Sequence, residues 1–156
     1  MKISIERATL LKAVAQAQSV VERRNTIPIL ANVLIEAEGA TVSLRATDLD
    51  IEVTDKATAM VERAGATTVS AVMLHEIVRK LPDGALVQLI DDGAAGRLTV
   101  QAGRSTFSLA TLPREDFPIM ASSEYTASFS APAGVLRRLF DKSKFAISTE
   151  ETRYYL

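Results

Sequence analysis

Residues 2–111 contain the same pattern of elements twice, and this repetition constrains the fold more than any single motif. Each copy predicts one strand, one amphipathic helix and three further strands, and the second copy begins about 64 residues after the first. A repeat that cannot bury its apolar face alone does so by packing against its neighbour. The two copies therefore predict one α+β domain with two helices and two antiparallel sheets.

The elements of both copies follow from the spacing of their apolar residues. Apolar positions at helical spacing predict helices over 7–21 and 72–81. Apolar and polar residues alternate in the predicted strands, and turn-forming residues separate most of them. The strands are KISIE, NVLIEAE, TVSLRAT and LDIEVTDKATAM in the first copy and ATTVSA, ALVQLID, RLTVQA and TFSLAT in the second.

A third copy of the pattern begins after the linker PREDFPIMASSE at 113–124. The run YTASFSA predicts a strand at 125–131, and GVLRRLFDKSKFAI predicts a helix at 134–147. The run TRYYL at 152–156 follows that helix as TIPIL at 26–30 follows the first, with matching Thr and Leu residues 126 positions apart. The chain therefore contains the beginning of a second domain.

We expect two domains of unequal completeness. Residues 1–121 form a complete first domain. Residues 122–156 supply a linker and the first strand, the helix and the beginning of the next strand of a second domain. The chain is accordingly expected to be a fragment of a longer protein.

Composition excludes several classes of protein. The chain has no Cys, so disulfides and thiolate metal sites are excluded, and its single His75 cannot build a zinc site alone. No apolar run reaches the roughly 18 residues of a membrane span, and the first residues lack a secretory segment. We therefore expect a cytoplasmic protein without a membrane span, a metal or a cofactor.

The motifs of catalysis and nucleotide binding are weak or missing. Asp48, Asp50 and Glu52 alternate along a predicted strand and could hold a divalent ion from one face. An exposed acidic strand face is the favoured interpretation, because no further ligands cluster nearby in sequence. Without a glycine-rich phosphate loop or a defensible nucleophile–base spacing, an enzyme is not expected.

The net charge of −1 hides an uneven distribution. The segments that contain the predicted helices carry +3 at 1–24, +1 at 70–82 and +3 at 132–145, so the remainder carries −8. A solvated surface without function would scatter both signs over helices and strands alike. The sorting predicts instead that the helices form one surface facing a polyanion while the sheets face outward. With no zinc-finger spacing or aromatic platform, phosphate contact without sequence preference is the expected mode.

Several blocks of sequence, in matching order and spacing, point to one family. They are LLKAV, TIPILANVLIEA, ATDLDIEV, GATTVSA, LPDGA, GRSTFSLATLPREDFP and TRYYL. Over essentially all of its length the chain resembles the N-terminal part of the bacterial replicative sliding clamp, the beta subunit of DNA polymerase III. The resemblance implies the DNA-clamp fold and a head-to-tail homodimeric ring of three-domain subunits around duplex DNA. It also implies protein partners: the polymerase III alpha subunit, the clamp loader and other clamp-motif proteins.

The resemblance implies DNA contacts at three positions. Arg24 matches a duplex-contacting arginine in the loop after the first helix. Tyr154 and Tyr155 match a pair that can meet single-stranded template, although both also suit an ordinary strand. The uneven distribution of charge adds four cations of the predicted helices to the predicted DNA-contacting residues: Lys12, Arg79, Arg137 and Arg138.

Two protein-contacting surfaces are also implied. Arg153 and Leu156 match the first members of the hydrophobic cleft that captures partner peptides. The positions that match the subunit interface are Met73, Ile77, Phe107 and Leu109. In a fragment that stops at Leu156 the cleft would be incomplete, and the third domain that the interface needs would be absent.

Three positions depart from the family pattern. Val72 and Met73 stand where some clamps have basic residues, and Glu150 replaces a neutral polar residue that contacts DNA. These departures weaken the predicted DNA contact locally. A peptide-docking module that does not encircle DNA remains the alternative function.

Overall fold

The computed structural model describes residues 1–21, 27–93, 95–120 and 127–147 of this chain, which divides into two compact units, 1–120 and 121–156. The first unit contains nine described strands and two helices: β1 (Lys2–Glu6), α1 (Arg7–Gln18), β2 (Asn32–Glu38), β3 (Thr41–Thr47), β4 (Glu52–Thr58), β5 (Met60–Arg63), β6 (Gly65–Ser70), α2 (Ala71–Lys80), β7 (Leu86–Asp91), β8 (Arg97–Ala102) and β9 (Ser105–Ala110). The described part of the second unit contains α3 (Ala133–Ser143). Short 3₁₀ turns lie at Pro28–Ala31, Arg114–Asp116 and Lys144–Ala146.

The predicted elements of the first unit are largely confirmed. Helix α1 ends at Gln18, earlier than the predicted end at residue 21, and the chain continues in a turn. A strand was predicted at 125–131. The structure describes residues 127–131 of this range, and they have no strand structure, so the prediction is wrong for them. No helix in the described ranges is long and apolar enough to cross a membrane.

The two copies of the repeat exchange their first strands. One sheet has the order β5-β1-β7-β8-β9 and the other has the order β4-β3-β2-β6, with antiparallel pairing throughout. Strand β1 of the first copy therefore pairs with β7 of the second, and β6 of the second copy pairs with β2 of the first. Each sheet therefore combines strands from both copies.

The predicted strand LDIEVTDKATAM contains β4 and the first residue of β5, which lie in different sheets, so the prediction of one strand is wrong. Strand β4 ends at Thr58 beside β3, and β5 begins at Met60 beside β1. Between them Ala59 is buried, and its N–H donates to the Ala40 carbonyl at 3.1 Å. The chain crosses from one sheet to the other at this residue without a Gly or Pro.

Corresponding residues 64 positions apart begin and anchor the two helices. The backbone N–H of Thr9 donates to Glu6 Oε2 at 2.9 Å, and that of Met73 donates to Ser70 Oγ at 3.4 Å. Each side chain therefore caps a helix N-terminus, where backbone donors lack partners within the helix. Leucines and valines at equivalent positions are fully buried in one shared core: Leu10 and Leu74, Val14 and Val78.

The segment after β9 crosses the outer face of the sheet that contains β2. Thr68 Oγ1 on β6 donates to the Leu112 carbonyl at 2.8 Å and accepts from its N–H at 3.1 Å. Phe117, 4% exposed, packs in a second apolar cluster with Ile29, Leu30 and Leu34. The N–H of Met120 then donates to Glu52 Oε2 at 3.2 Å. This segment, residues 112–120, is the strap, and it leads the chain from β6 to β4.

Replacing Phe117 by Ala should lower the free energy of unfolding by about 3 kcal/mol, because the change empties the centre of the second apolar cluster. Urea denaturation followed by circular dichroism measures the loss. The control is Phe129→Ala, since Phe129 is 85% exposed and its removal should change stability by less than about 0.5 kcal/mol. Equal losses for the two variants would contradict the anchoring role of the strap.

Stability should fall on acidification partly through Glu6. Hydrogen bonds from the backbone N–H groups of Ala8 and Thr9 hold the pKa of Glu6 below its usual 4.5. A carboxyl whose pKa is lower in the folded state stabilises the fold above its unfolded pKa and loses that effect as the pH falls through the folded pKa. The thermal midpoint of the wild type should therefore drop more steeply below about pH 4.5 than that of Glu6→Gln. If the thermal midpoints of the two proteins fall equally with pH, Glu6 does not stabilise the start of α1 through its carboxylate.

Candidate nucleic-acid interface and partner surfaces

Helices α1 and α2 lie side by side and run in opposite directions. Arg7 at the start of α1 contacts the end of α2, while Val72 at the start of α2 lines a shallow depression with Ala15 and Ser19 near the end of α1. Their buried residues face the common core, so the opposite faces of both helices are open to solvent. We call these exposed faces the helix surface.

Arg7 does not belong to the helix surface, although the charge sorting counted it as a helix cation. Its Nε donates to the Val78 carbonyl at 3.1 Å, its Nη2 to the Arg79 carbonyl at 2.7 Å and its Nη1 to Asp83 Oδ1 at 2.6 Å. The last carbonyls of a helix lack partners within the helix and carry partial negative charge. Arg7 satisfies them at the end of α2, with a side chain only 14% exposed.

Helix α1 presents one cation on a neutral background. Lys12 is exposed, and no ion pair to it is formed within the described part of the chain. No Asp or Glu lies within α1. Its other exposed residues are small or uncharged: Ala8, Thr9, Ala15 and Gln16.

Helix α2 carries two cations and one carboxylate on the helix surface. Arg79 Nη2 donates to Glu76 Oε2 at 2.8 Å, and Lys80 Nζ lies 3.9 Å from the same oxygen. The hydrogen bond from Arg79 lowers the pKa of Glu76 below its usual 4.5, so the carboxylate is ionised at neutral pH. Nδ1 of His75 lies 4.0 Å from the other carboxylate oxygen. The predicted DNA-contacting residue Arg79 is therefore exposed but already paired.

Helix α3 of the second unit is strongly basic on its exposed surface. Arg137 Nε lies 3.7 Å from Asp141 Oδ2, with both side chains more than half exposed. Arg138 and Lys142, one turn apart, are exposed, and the described residues place no carboxylate within 4 Å of either. The sequence-predicted cations Arg137 and Arg138 are thus both accessible.

The remaining predicted DNA and peptide contacts lie outside the described residues. They are Arg24, Arg153, Tyr154, Tyr155 and Leu156. These roles therefore stay predictions from the family resemblance.

Of the four residues predicted at the subunit interface, two line one apolar groove. Ile77 and Phe107 border a groove of about 430 Å³ between α2 and β9, and Glu76 and Lys80 line its side on α2. Met73 lies one turn before Ile77 and is 55% exposed. Leu109 is only 4% exposed because its side chain packs in the main core, and its place in the subunit interface stays a prediction. Phe107, two residues before it on β9, is 37% exposed.

Strand β9 is an edge strand with outward-facing backbone groups. The Thr111 N–H bonds to the Gly96 carbonyl at 2.9 Å, so alternation along the antiparallel pair directs the groups of Thr106, Ser108 and Ala110 away from β8. The guanidinium of Arg97 covers part of this edge: Nη2 donates to the Ser108 carbonyl at 3.0 Å and Nε to Ser108 Oγ at 2.6 Å. The sequence carries no local signal for this contact.

The three acidic residues considered as ion ligands do not share a strand face. Asp48 and Asp50 lie in the loop before β4, where Asp48 Oδ1 accepts from the N–H groups of Asp50 and Ile51 at 3.0 and 2.7 Å. Glu52, on β4, lies 3.7 Å from Arg45 Nη1. The expected acidic strand face is therefore wrong in its geometry, because only Glu52 belongs to the strand.

The interlocked repeat, with two helices on one side and two antiparallel sheets around them, defines a DNA-clamp domain. A solved structure described as Caulobacter crescentus pol III beta matches it with a TM-score of 0.93 and 56% identity, over 100% of this chain and 42% of the other. A sliding clamp from Bartonella birtlesii, bound to griselimycin, matches with a TM-score of 0.93 and 47% identity, over 99% and 41%. The beta sliding clamp of Caulobacter vibrioides is 56% identical over 156 residues.

The family model for the DNA polymerase III beta subunit, N-terminal domain, matches residues 1–121. This chain belongs to the DNA polymerase III beta subunit family. It spans 42% of the length of the Caulobacter vibrioides relative.

Arg7 should be important for stability rather than for DNA contact. Arg7→Gln removes three hydrogen bonds at the end of α2 and should lower the free energy of unfolding by about 1–3 kcal/mol. The matched change Lys12→Gln removes an exposed cation from the same helix and should cost less than about 0.5 kcal/mol. Thermal or urea unfolding of both variants measures the difference. A loss that is no larger for Arg7→Gln would disprove the anchoring role.

Proposed function

We propose that this chain is the N-terminal part of a bacterial replicative sliding clamp that encircles duplex DNA and tethers the polymerase. The observation that carries the proposal is the agreement of the whole chain, in sequence and in fold, with clamps that span more than twice its length. On this proposal the protein confers processivity by topological linkage. It is an accessory subunit of the DNA polymerase complex without catalytic residues of its own, and it acts in the cytoplasm.

The domain boundaries are part of the proposal. Residues 1–121 would be a complete first clamp domain, and 122–156 would be a linker and the beginning of the second. The match of the family model to residues 1–121 and the compact unit 1–120 support the first of these assignments.

The charge of the helix surface is consistent with encirclement. Lys12 is the free cation that α1 offers, and Arg79 on α2 shares a carboxylate with Lys80. Few free cations give weak, salt-sensitive contact with phosphates, without sequence preference. A closed ring does not depend on contact affinity to stay on DNA, so weak contact is compatible with retention and favours sliding. We propose Lys12, Arg79, Arg137 and Arg138, with Arg24, Tyr154 and Tyr155, as the DNA-contacting residues of this chain.

The ring interface is proposed at β9 and the adjoining groove. An edge strand with outward-facing N–H and C=O groups can pair with another strand, although here Arg97 would have to release the Ser108 carbonyl. Phe107 and Ile77 supply an apolar surface beside this edge. Met73 would extend this surface along α2, and Leu109 on β9 is proposed as the fourth interface residue. The partner would be the third domain of a second subunit in a head-to-tail homodimer.

The protein partners are proposed to bind at a different place. Arg153 and Leu156 would begin the cleft that takes short linear motifs from the polymerase III alpha subunit, the clamp loader and other clamp-binding proteins. A peptide-docking module without encirclement would use the same cleft, so only DNA retention separates the two functions.

The deciding measurement is the retention of a full-length clamp carrying this sequence on circular and on linear duplex DNA. After loading by the clamp loader, the protein should stay on closed circles and should leave rapidly once the circle is cut, because a ring can slide off an end. Equal dissociation from both substrates would rule out topological linkage.

The double variant Arg137→Glu and Arg138→Glu should shorten retention on circular DNA at low salt, because it replaces two accessible cations of α3 by repulsive charges. The control is Lys56→Glu with Arg114→Glu, which makes the same change of charge at two exposed cations outside α1, α2, α3 and the proposed ring interface. A docking module would be indifferent to both pairs of substitutions.

A further inference from the structure

The cations of α2 are held by a single carboxylate that no DNA-binding role explains. Arg79 and Lys80 both approach Glu76 Oε2, at 2.8 and 3.9 Å. The three side chains are 55%, 73% and 44% exposed, in the order Arg79, Lys80, Glu76, so a solvent-borne anion can reach the group. Any phosphate that binds Arg79 must compete with Glu76 for the same guanidinium.

The repeat places Glu76 on the helix surface, at its boundary with the groove that Glu76 and Lys80 also line. Glu76 lies 64 positions after Lys12, the same offset that relates the two N-caps and the two buried leucines. The two helices therefore present opposite charges at equivalent points. Helix α1 offers a cation and no carboxylate, whereas α2 offers two cations and their own counterion.

We propose that Glu76 is a built-in competitor for DNA phosphate that keeps the contact of α2 with the duplex weak and rapidly exchanged. The inference rests on the proposed function, since it concerns the DNA-facing surface of a clamp. An arginine binds a carboxylate and a phosphate through the same planar fork of donors. Exposed ion pairs are individually weak. A phosphate can therefore displace Glu76 and be displaced by it in turn, which suits a protein that moves along the backbone.

The competing interpretation is that Glu76 only stabilises α2 through helical ion pairs at spacings of three and four residues. That role predicts a loss of helix stability in Glu76→Gln but no gain in DNA binding. A matched control separates both interpretations from a simple change of net charge. Glu62→Gln removes one carboxylate from a comparably exposed ion pair, with Lys2 at 2.6 Å, on a strand rather than on a helix.

The experiment measures binding of this chain to a fluorescent duplex of arbitrary sequence by anisotropy, over a range of salt concentrations. Glu76→Gln should bind several-fold more tightly than the wild type at low salt. Its plot of log K against log salt should be steeper by about 0.9 for each cation released to a phosphate. Glu62→Gln should keep the wild-type slope. Glu76→Ala, a better helix former, should reproduce the gain if Glu76→Gln folds poorly by circular dichroism.

A second arm tests whether the gain passes through Arg79. Arg79→Gln should cost little affinity in the wild type, where Glu76 already occupies the guanidinium. In the Glu76→Gln background it should cost much more and should remove most of the gain. Additive effects of the two substitutions would overturn the proposal, because independent groups give additive changes.

Each remaining outcome has a definite meaning. Equal gains for Glu76→Gln and Glu62→Gln would show a net-charge effect and overturn the role of Glu76, while the proposed clamp function would stand. Binding by Glu76→Gln but not by the wild type would support the role of Glu76. If neither protein binds the duplex at low salt, DNA contact by this surface is wrong; retention of the full-length ring on circular DNA then decides the clamp function separately.

Discussion

The structure of the first unit depends on the exchange of β1 and β6 between the two copies of the repeat. Each of these strands lies directly before a helix and pairs with a strand that follows the other helix. Because pairing crosses between copies, α1 and α2 are brought against one core and are held antiparallel. The exposed faces of both helices then become one surface, and the two sheets enclose the core from the other side. The clamp-domain architecture follows from this pairing, since each sheet combines strands of both copies.

Some charged side chains of this unit stabilise the fold and others are exposed on the helices, and the net charge does not distinguish the two groups. Arg7 binds the carbonyl end of α2 and Glu6 caps the start of α1, so neither is available to a ligand. Lys2 pairs with Glu62 on the strands. What the described residues leave on α1 and α2 is Lys12 and a small ion cluster around Glu76. A surface of this kind holds a polyanion loosely, and loose contact is sufficient where a ring provides retention.

The strap ties the first unit together at its outer face. It bonds to β6 through Thr68, buries Phe117 against β2 and ends at Glu52 on β4. The chain therefore leaves the first unit from a defined place beside β4, on the opposite side of the sheet from the helices.

Local patterns were sufficient for most elements, because helix and strand periodicity and capping act over a few residues. The starts of α1 and α2, the apolar stripes and the hairpin strands β2, β3 and β8 were all predicted from neighbouring residues. The strand crossing at Ala59 was missed, because the alternation continues through it without a breaker. Leu109 was assigned to the subunit interface from the family resemblance, and no local pattern indicated that its side chain is buried in the main core.

By itself the sequence determined the repeated pattern, the α+β class, the basic bias of the helical segments and the family. These are properties of local spacing, composition and matched blocks. Only the tertiary structure decided which cations are free. The contact of Arg7 with the end of α2 joins residues 71 and 72 positions apart, and that of Arg97 with Ser108 joins two strands. Such contacts depend on how helices and strands pack, and no spacing along the chain encodes them.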